Sequence, residues 1–408
     1  MRIVILGLAI SSPCQDSHGA VYGPLVKGMV RRGHDVLFLE PATSAHAAGT
    51  PAQVCAVAGS ARRAAGVSPA GNIQPVGLPK LPAGDVQSYS GLAELKDRWT
   101  GKIASADVII VGSGLDDGIE IGKWVMQSMG RRAVAAFYDI DAPATMSQLS
   151  AGSCQYISPE LAARYDAYFC CSGGPLLKRI ASRFGARRVV PLYRAVDEEQ
   201  YFFQPAQAKW DMGHLAAYSR QRQETLDRLM LQVARPWPHG RFLVAGPGYP
   251  KSLRWPDNVK LADAMAPRQR LESYNSQRFA LNISNSPDAP CQSVSLSAGL
   301  LEAAACSTPI ISDWWHGIGC FFEPGSEILV AVDSQQVLYY LRRLSPQYAA
   351  QIGRRARQRV LANHTANIRA AQLEDCLMEM LQERAPASAA RQPRGMDRPG
   401  PTSFDSAA

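Results

Sequence analysis

The stretch Phe137-Tyr138-Asp139-Ile140-Asp141-Ala142-Pro143 ends an apolar run with two carboxylates. On an extended backbone Asp139 and Asp141 point to the same side, which suits a general base or part of a metal site. The plainer reading makes Asp141 the cap of a following helix. A second polar group fills the loop from Gly7 to Gly19 with Ser11, Ser12, Gln15, Asp16, Ser17 and His18, and His18 is its candidate for substrate contact. That loop is not G-x-G-x-x-G, and the chain has no G-x-x-x-x-G-K-[ST], so neither a dinucleotide fingerprint nor a P-loop is expected. Seven His without an H-x-x-x-H pair and scattered Cys without a C-x-x-C pair predict no metal site.

These groups need strands and helices to hold them. Ile3-Val4-Ile5-Leu6 reads as a buried strand, and Val21, Leu25, Val26, Met29 and Val30 recur at helical spacing up to Gly33. Val36-Leu37-Phe38-Leu39 then completes a β-α-β unit, whose crossover implies a parallel pair. Further short apolar strands at 106–112, 133–139 and 167–171 continue the alternation. A second series of strands and helices runs from Gly213 to about Arg384 after a boundary near Pro205. The expectation is an α/β protein of two doubly wound domains, 1–204 and 205–384, facing a cleft at the carboxyl ends of their strands. Residues 42–85 read as a long loop, and the Pro, Ala, Arg and Ser of 385–408 as a disordered tail.

With 408 residues, 46% hydrophobic and 19% charged, the chain has ample material for two cores. Its net charge of +8 suits nucleic acid, an anionic membrane surface or phosphorylated ligands. The densest cationic cluster, Arg354-Arg355-Ala356-Arg357, fits one solvated helix face, so no nucleic-acid partner is expected. The nine unpaired Cys imply a reducing, cytoplasmic setting, and no apolar run approaches the ~18 residues of a transmembrane segment.

The most informative series lies between Ser273 and Thr365. It includes Ser273-Tyr274-Asn275 through Asn282-Ile283, Leu301-Glu302-Ala303-Ala304-Ala305-Cys306-Ser307-Thr308-Pro309-Ile310, Phe322-Glu323-Pro324-Gly325-Ser326-Glu327-Ile328, and Asn363-His364-Thr365. In this order the segments resemble the CgeB-like (spore-maturation-type) glycosyltransferase family, among the retaining glycosyltransferases of the B fold. Glu302 to Ile310 match E-A-x-A-C-G-x-P-[IV] except that Ser307 stands at the glycine. Gly33-His34-Asp35-Val36, Cys171-Ser172-Gly173-Gly174-Pro175, Tyr218 to Gln223 and Val244-Ala245-Gly246-Pro247 extend the likeness over about residues 1–375. Two more positions depart from it: Val294 replaces a Glu often found eight residues before Glu302, and Gly299 an Arg usual three residues before it.

The resemblance implies two Rossmann-like domains, the first holding the acceptor and the second a nucleotide diphosphate sugar. Glu302 would then accept hydrogen bonds from the ribose hydroxyls, as a carboxylate fork can, and Arg222 would offer its planar fork to the diphosphate. Ser219, Gly246 and Pro309 would join them around the substrate, with His18, Asp139 and Asp141 on the acceptor side. A helix starting near Ala298 would aim free N–H groups at the phosphates, and neither metal nor other cofactor is called for. The alternatives are a catalytically degenerate protein that binds a sugar nucleotide or glycan, and a sugar-nucleotide epimerase on the same fold.

Overall fold

The computed structural model describes residues 1–10, 19–42, 85–284 and 294–384. His18, the tail 385–408 and the expected loop 42–85, except its two end residues, lie outside the described residues.

The first half runs β1 (Arg2–Leu6), α1 (Gly19–Arg31), β2 (Asp35–Pro41), β3 (Asp85–Tyr89), α2 (Leu92–Ser105), β4 (Val108–Gly112), α3 (Gly118–Ser128), β5 (Val134–Asp139), α4 (Ala142–Ala151), α5 (Pro159–Ala162), β6 (Ala167–Cys170), β7 (Ser172–Gly173), α6 (Pro175–Phe184) and β8 (Val189–Pro191). Seven of these strands form a parallel sheet in the order β3-β2-β1-β4-β5-β6-β8. Strands β4, β5 and β6 are buried along their whole length, as a sheet covered on both faces requires.

The second half runs β9 (Trp210–Leu215), α7 (Gln223–Leu226), a π turn (Asp227–Leu231), α8 (Gln232–Ala234), β10 (Phe242–Ala245), β11 (Val259–Ala262), α9 (Pro267–Asn275), β12 (Gln277–Asn282), β13 (Val294–Ser295), α10 (Ala298–Ala305), β14 (Ile310–Ser312), α11 (Ile318–Phe321), β15 (Leu329–Val330), α12 (Ser334–Arg343), α13 (Pro346–Asn363) and α14 (Ala366–Glu383). Its sheet has the order β11-β10-β9-β12-β14-β15, again with parallel pairs. The two doubly wound sheets agree with the expected α/β architecture.

The last helix departs from the expected division at 384. Ala370, Leu373, Leu377 and Met380 of α14 are buried in the core of the first half, not the second. The chain returns beside its outward crossing: Val196 N–H donates to the His364 carbonyl at 2.9 Å, and Ala366 N–H to the Val196 carbonyl at 3.1 Å. The helix then lies on α1 so closely that a Cβ on Gly28 would stand 2.4 Å from the Ala366 carbonyl oxygen. Lys27 of α1 ties down the outward crossing through both carboxylate oxygens of Asp197, at 2.7 and 2.8 Å.

A third contact joins the halves across the cleft. Strands β7 and β13 pair antiparallel, with Val294 opposite Gly173 and Ser295 opposite Ser172.

Candidate functional site

In the second sheet β10 lies on one side of β9 and β12 on the other. Loops that leave neighbouring strands toward opposite faces open a crevice beyond the strands' carboxyl ends. A cavity occupies this place, lined among others by Gly213, His214, Arg222, Asn282, Ser297 and Gly299.

Three elements build it. Ser297 caps α10, its hydroxyl oxygen accepting from Leu300 N–H at 3.0 Å while the hydroxyl donates to Asn282 Oδ1 at 2.9 Å. Asn282 Nδ2 in turn donates to Ser312 Oγ at 2.9 Å, so the start of α10 is fixed to the ends of β12 and β14. This aims the positive end of the helix at the cavity. Arg222 closes the side, its Nη2 donating to the Ala217 carbonyl at 2.8 Å. Burial lowers its pKa, and Tyr249 and Asp313 oppose that effect, but a guanidinium keeps its charge throughout. His214 forms part of the wall, only 4% exposed. Its Nδ1 lies 2.9 Å from the Leu281 carbonyl oxygen, which can only accept, so Nδ1 carries the proton and Nε2 is an acceptor. Burial, with help from Arg222 and Arg270, lowers its pKa to about 4 and keeps the ring neutral near pH 7.

Glu302 sits behind this wall at 6% exposure. Its Oε2 accepts from Arg270 Nε at 3.0 Å, from Arg270 Nη2, and from the Tyr274 hydroxyl at 3.1 Å. Burial works against the Arg270 charge, but Glu302, Tyr274 and Tyr201 together push its pKa well above the ordinary value. The expected ribose acceptor is thus already the anion of a buried ion pair, bonded to Tyr274, which lines the cavity where Glu302 does not.

The other expected residues divide. Ser219 starts the turn Arg220–Arg222, its carbonyl accepting from Arg222 N–H at 3.1 Å, so it orients Arg222 through the backbone. Gly246 directly follows β10 against the neighbouring loop, where a Cβ would lie 2.1 Å from the Ala216 carbonyl oxygen. Pro309 is buried under α13, where a Cβ on Gly353 would fall 2.1 Å from the Ser307 carbonyl oxygen and 3.2 Å from Pro309 N, so it shapes the turn and does not line the cavity. Ser307 itself has φ +60°, the left-handed region where glycine rests without a Cβ penalty.

The carboxylate pair of the first half is not a pair. Asp139 is fully buried, accepting from Tyr168 at 2.5 Å, Thr145 at 2.9 Å and Asp141 N–H at 3.1 Å. Burial raises its pKa to about 6 against these hydrogen bonds. Asp141 is exposed and caps α4, accepting from Ala144 N–H at 3.3 Å. The strand ends at Asp139, so the alternation that would have aligned them stops there, and the cap reading holds.

His214, Arg270, Asn282 and Ser297 were not singled out from the sequence. A Ser directly before an Ala-rich helix is a readable cap signal, but the buried His and the Arg270–Glu302 pairing depend on contacts distant in the chain. Among the described residues no three His, Cys, Asp or Glu side chains are grouped to hold a metal ion, and no helix is long and apolar enough to cross a membrane.

Two facing doubly wound sheets with a crevice at the second switch point define the glycosyltransferase B fold. Within it, residues 220–375 match the family described as glycosyl transferase-like. HepE of Anabaena, solved with UDP and glucose, is similar at 13% identity and a TM-score of 0.64, covering 93% of this chain and 100% of its own. An alpha-glucosyltransferase solved with UDP and a 13-mer DNA is similar at 12% identity and a TM-score of 0.64, covering 93% and 99%. Sucrose-phosphate synthase from Thermosynechococcus elongatus is similar at 14% identity and a TM-score of 0.58, covering 94% and 100%. No curated protein matches the chain in sequence.

Proposed function

We propose that this protein transfers a glycosyl group from a nucleotide diphosphate sugar to an acceptor held by the first half. The observation that carries the reading is the convergence of Arg222 and the N-terminus of α10 on the cavity at the second switch point. In the reaction the bond from the anomeric carbon to the diphosphate oxygen breaks, and an acceptor hydroxyl oxygen bonds to that carbon as its proton passes to bulk water. The leaving diphosphate gains negative charge, which Arg222 and the free N–H groups of α10 offset most strongly where water is thin.

Glu302 acts here as a positioning residue. By holding Arg270 and Tyr274 it fixes the wall against which the nucleotide rests. The CgeB-like motif series supports retention of configuration, and the UDP complexes of the structural neighbours support uridine as the first nucleotide to test.

The test is release of nucleotide diphosphate from a panel of UDP-, GDP- and ADP-sugars, first as slow hydrolysis without acceptor. Release from one nucleotide class, abolished by Arg222→Ala, is expected. Absence of release and of binding across the panel would refute the reading. The anomeric coupling of the first product, read by proton NMR, tests retention.

A further inference from the structure

We propose that Trp314, with His316 beside it, forms a stacking platform for a pyranose ring at the mouth of the cleft; this rests on the function proposed above. A single exposed aromatic ring means little by itself. Here the loop that carries it leaves the carboxyl end of β14 beside the cavity and is pinned at both ends.

At its start, Asp313 is 3% exposed and takes the Ser284 N–H at 2.9 Å and the Ser284 hydroxyl at 2.8 Å. Asp313 directly follows Ser312, the last residue of β14, whose hydroxyl accepts from Asn282 Nδ2 at 2.9 Å, and Asn282 lines the cavity, so the loop leaves from the cavity's rim. At its end, Gly317 has φ +89° and lies so near the interdomain strand β13 that a Cβ there would stand 2.7 Å from Val294 Cγ1. Between these points the side chains alternate. Trp315 is 5% exposed and packs on Phe321 with centroids 5.9 Å apart, and Phe321 meets Tyr193 of the first half edge-on at 5.0 Å. Trp314 and His316 therefore share the opposite, open side: Trp314 is 54% exposed, and the two rings stand 6.5 Å apart at 70°.

The result is an L-shaped corner, one wall a broad apolar face and the other an imidazole with polar edges. A pyranose ring has the matching chemistry, with C–H bonds on one face and hydroxyl groups around its rim. An indole supplies large contact area at little conformational cost. The ring has two sources, the sugar of the donor or a saccharide acceptor.

Calorimetry with UDP, UDP-glucose, UDP-N-acetylglucosamine, and maltotriose in the presence of UDP separates them, using wild type, Trp314→Ala and Trp314→Phe. Platform contact with the donor sugar is expected to weaken one UDP-sugar at least fivefold in Trp314→Ala, leave UDP within twofold, and recover in part with Trp314→Phe. Loss confined to maltotriose assigns the platform to the acceptor. If wild type binds a UDP-sugar and Trp314→Ala changes no affinity, or changes UDP as much as its sugars, the platform is refuted while the proposed function stands. Where only GDP- or ADP-sugars bind, the same three proteins are titrated with those; if wild type binds no nucleotide of the three classes, both fall.

Discussion

Arg270 of α9 reaches Glu302 of α10 across a gap in sequence and ends beside Gly299, where a Cβ would stand 3.9 Å from its Nη2. The missing side chain at 299 thus leaves room beside a guanidinium delivered from another helix. Val294, the other departure from the family pattern, pairs with Gly173 across the halves and packs on Gly317.

Placing Arg at 299 is therefore expected to harm. A Cβ there would lie 3.2 Å from the Tyr274 hydroxyl, and its charge would stand next to Arg270. Gly299→Arg should lower the melting temperature by several degrees and leave UDP affinity unimproved, as read by scanning calorimetry and titration. A tighter complex in a fully stable variant would show that the site lacks a cation.

Breaking the buried ion pair from one side leaves an unmatched charge, which costs about 3–5 kcal/mol. Glu302→Ala should show a loss of that order in urea unfolding. Arg270→Met combined with Glu302→Met should lose less than the sum of the single changes. Additive losses would mean the two side chains do not share an interaction.

Ser307 is held at φ +60°, and a side chain there costs roughly 1 kcal/mol relative to glycine. Ser307→Gly should raise stability by about 0.5–1 kcal/mol after the added freedom of the unfolded chain is counted. The same unfolding assay reads it, and a destabilised variant would point to a hydrogen bond of the serine as the stronger effect.

Two buried groups give stability opposite dependences on pH. Burial lowers the His214 pKa from 6.5 to about 4, so between these values the unfolded chain binds the extra proton and stability falls as pH drops. Burial raises the Asp139 pKa from 3.8 to about 6, so there the native state binds the extra proton and stability falls as pH rises. Over pH 4 to 6, Asp139→Asn should steepen the loss of stability on acidification and His214→Gln should flatten it. Identical slopes in the two variants would contradict the assigned causes.

Strand and helix alternation was legible because buried parallel strands are short, uniformly apolar runs, as Val108 to Gly112 and Val134 to Tyr138 show. The motif around Glu302 correctly marked α10 and the turn into β14. What a local pattern cannot carry is where a carboxylate finds its partner: Glu302 meets Arg270 thirty-two positions away. Nor could it show α14 crossing back to the first half, since its stripe of Ala370, Leu373 and Leu377 would suit either core. Asp139 and Asp141 left two readings open because their spacing has one meaning on a strand and another where a strand gives way to a helix cap, and the cap is what the fold shows at Asp141.

Arg222, at the switch point of the second sheet, is the residue proposed to receive the diphosphate of the donor. Titration of UDP into wild type and Arg222→Ala reads that contact. A charged hydrogen bond of this kind contributes about 1.5–3 kcal/mol, so a loss of affinity of roughly 10- to 150-fold is expected, with melting temperature little changed. Equal UDP affinity in the two proteins would contradict the account.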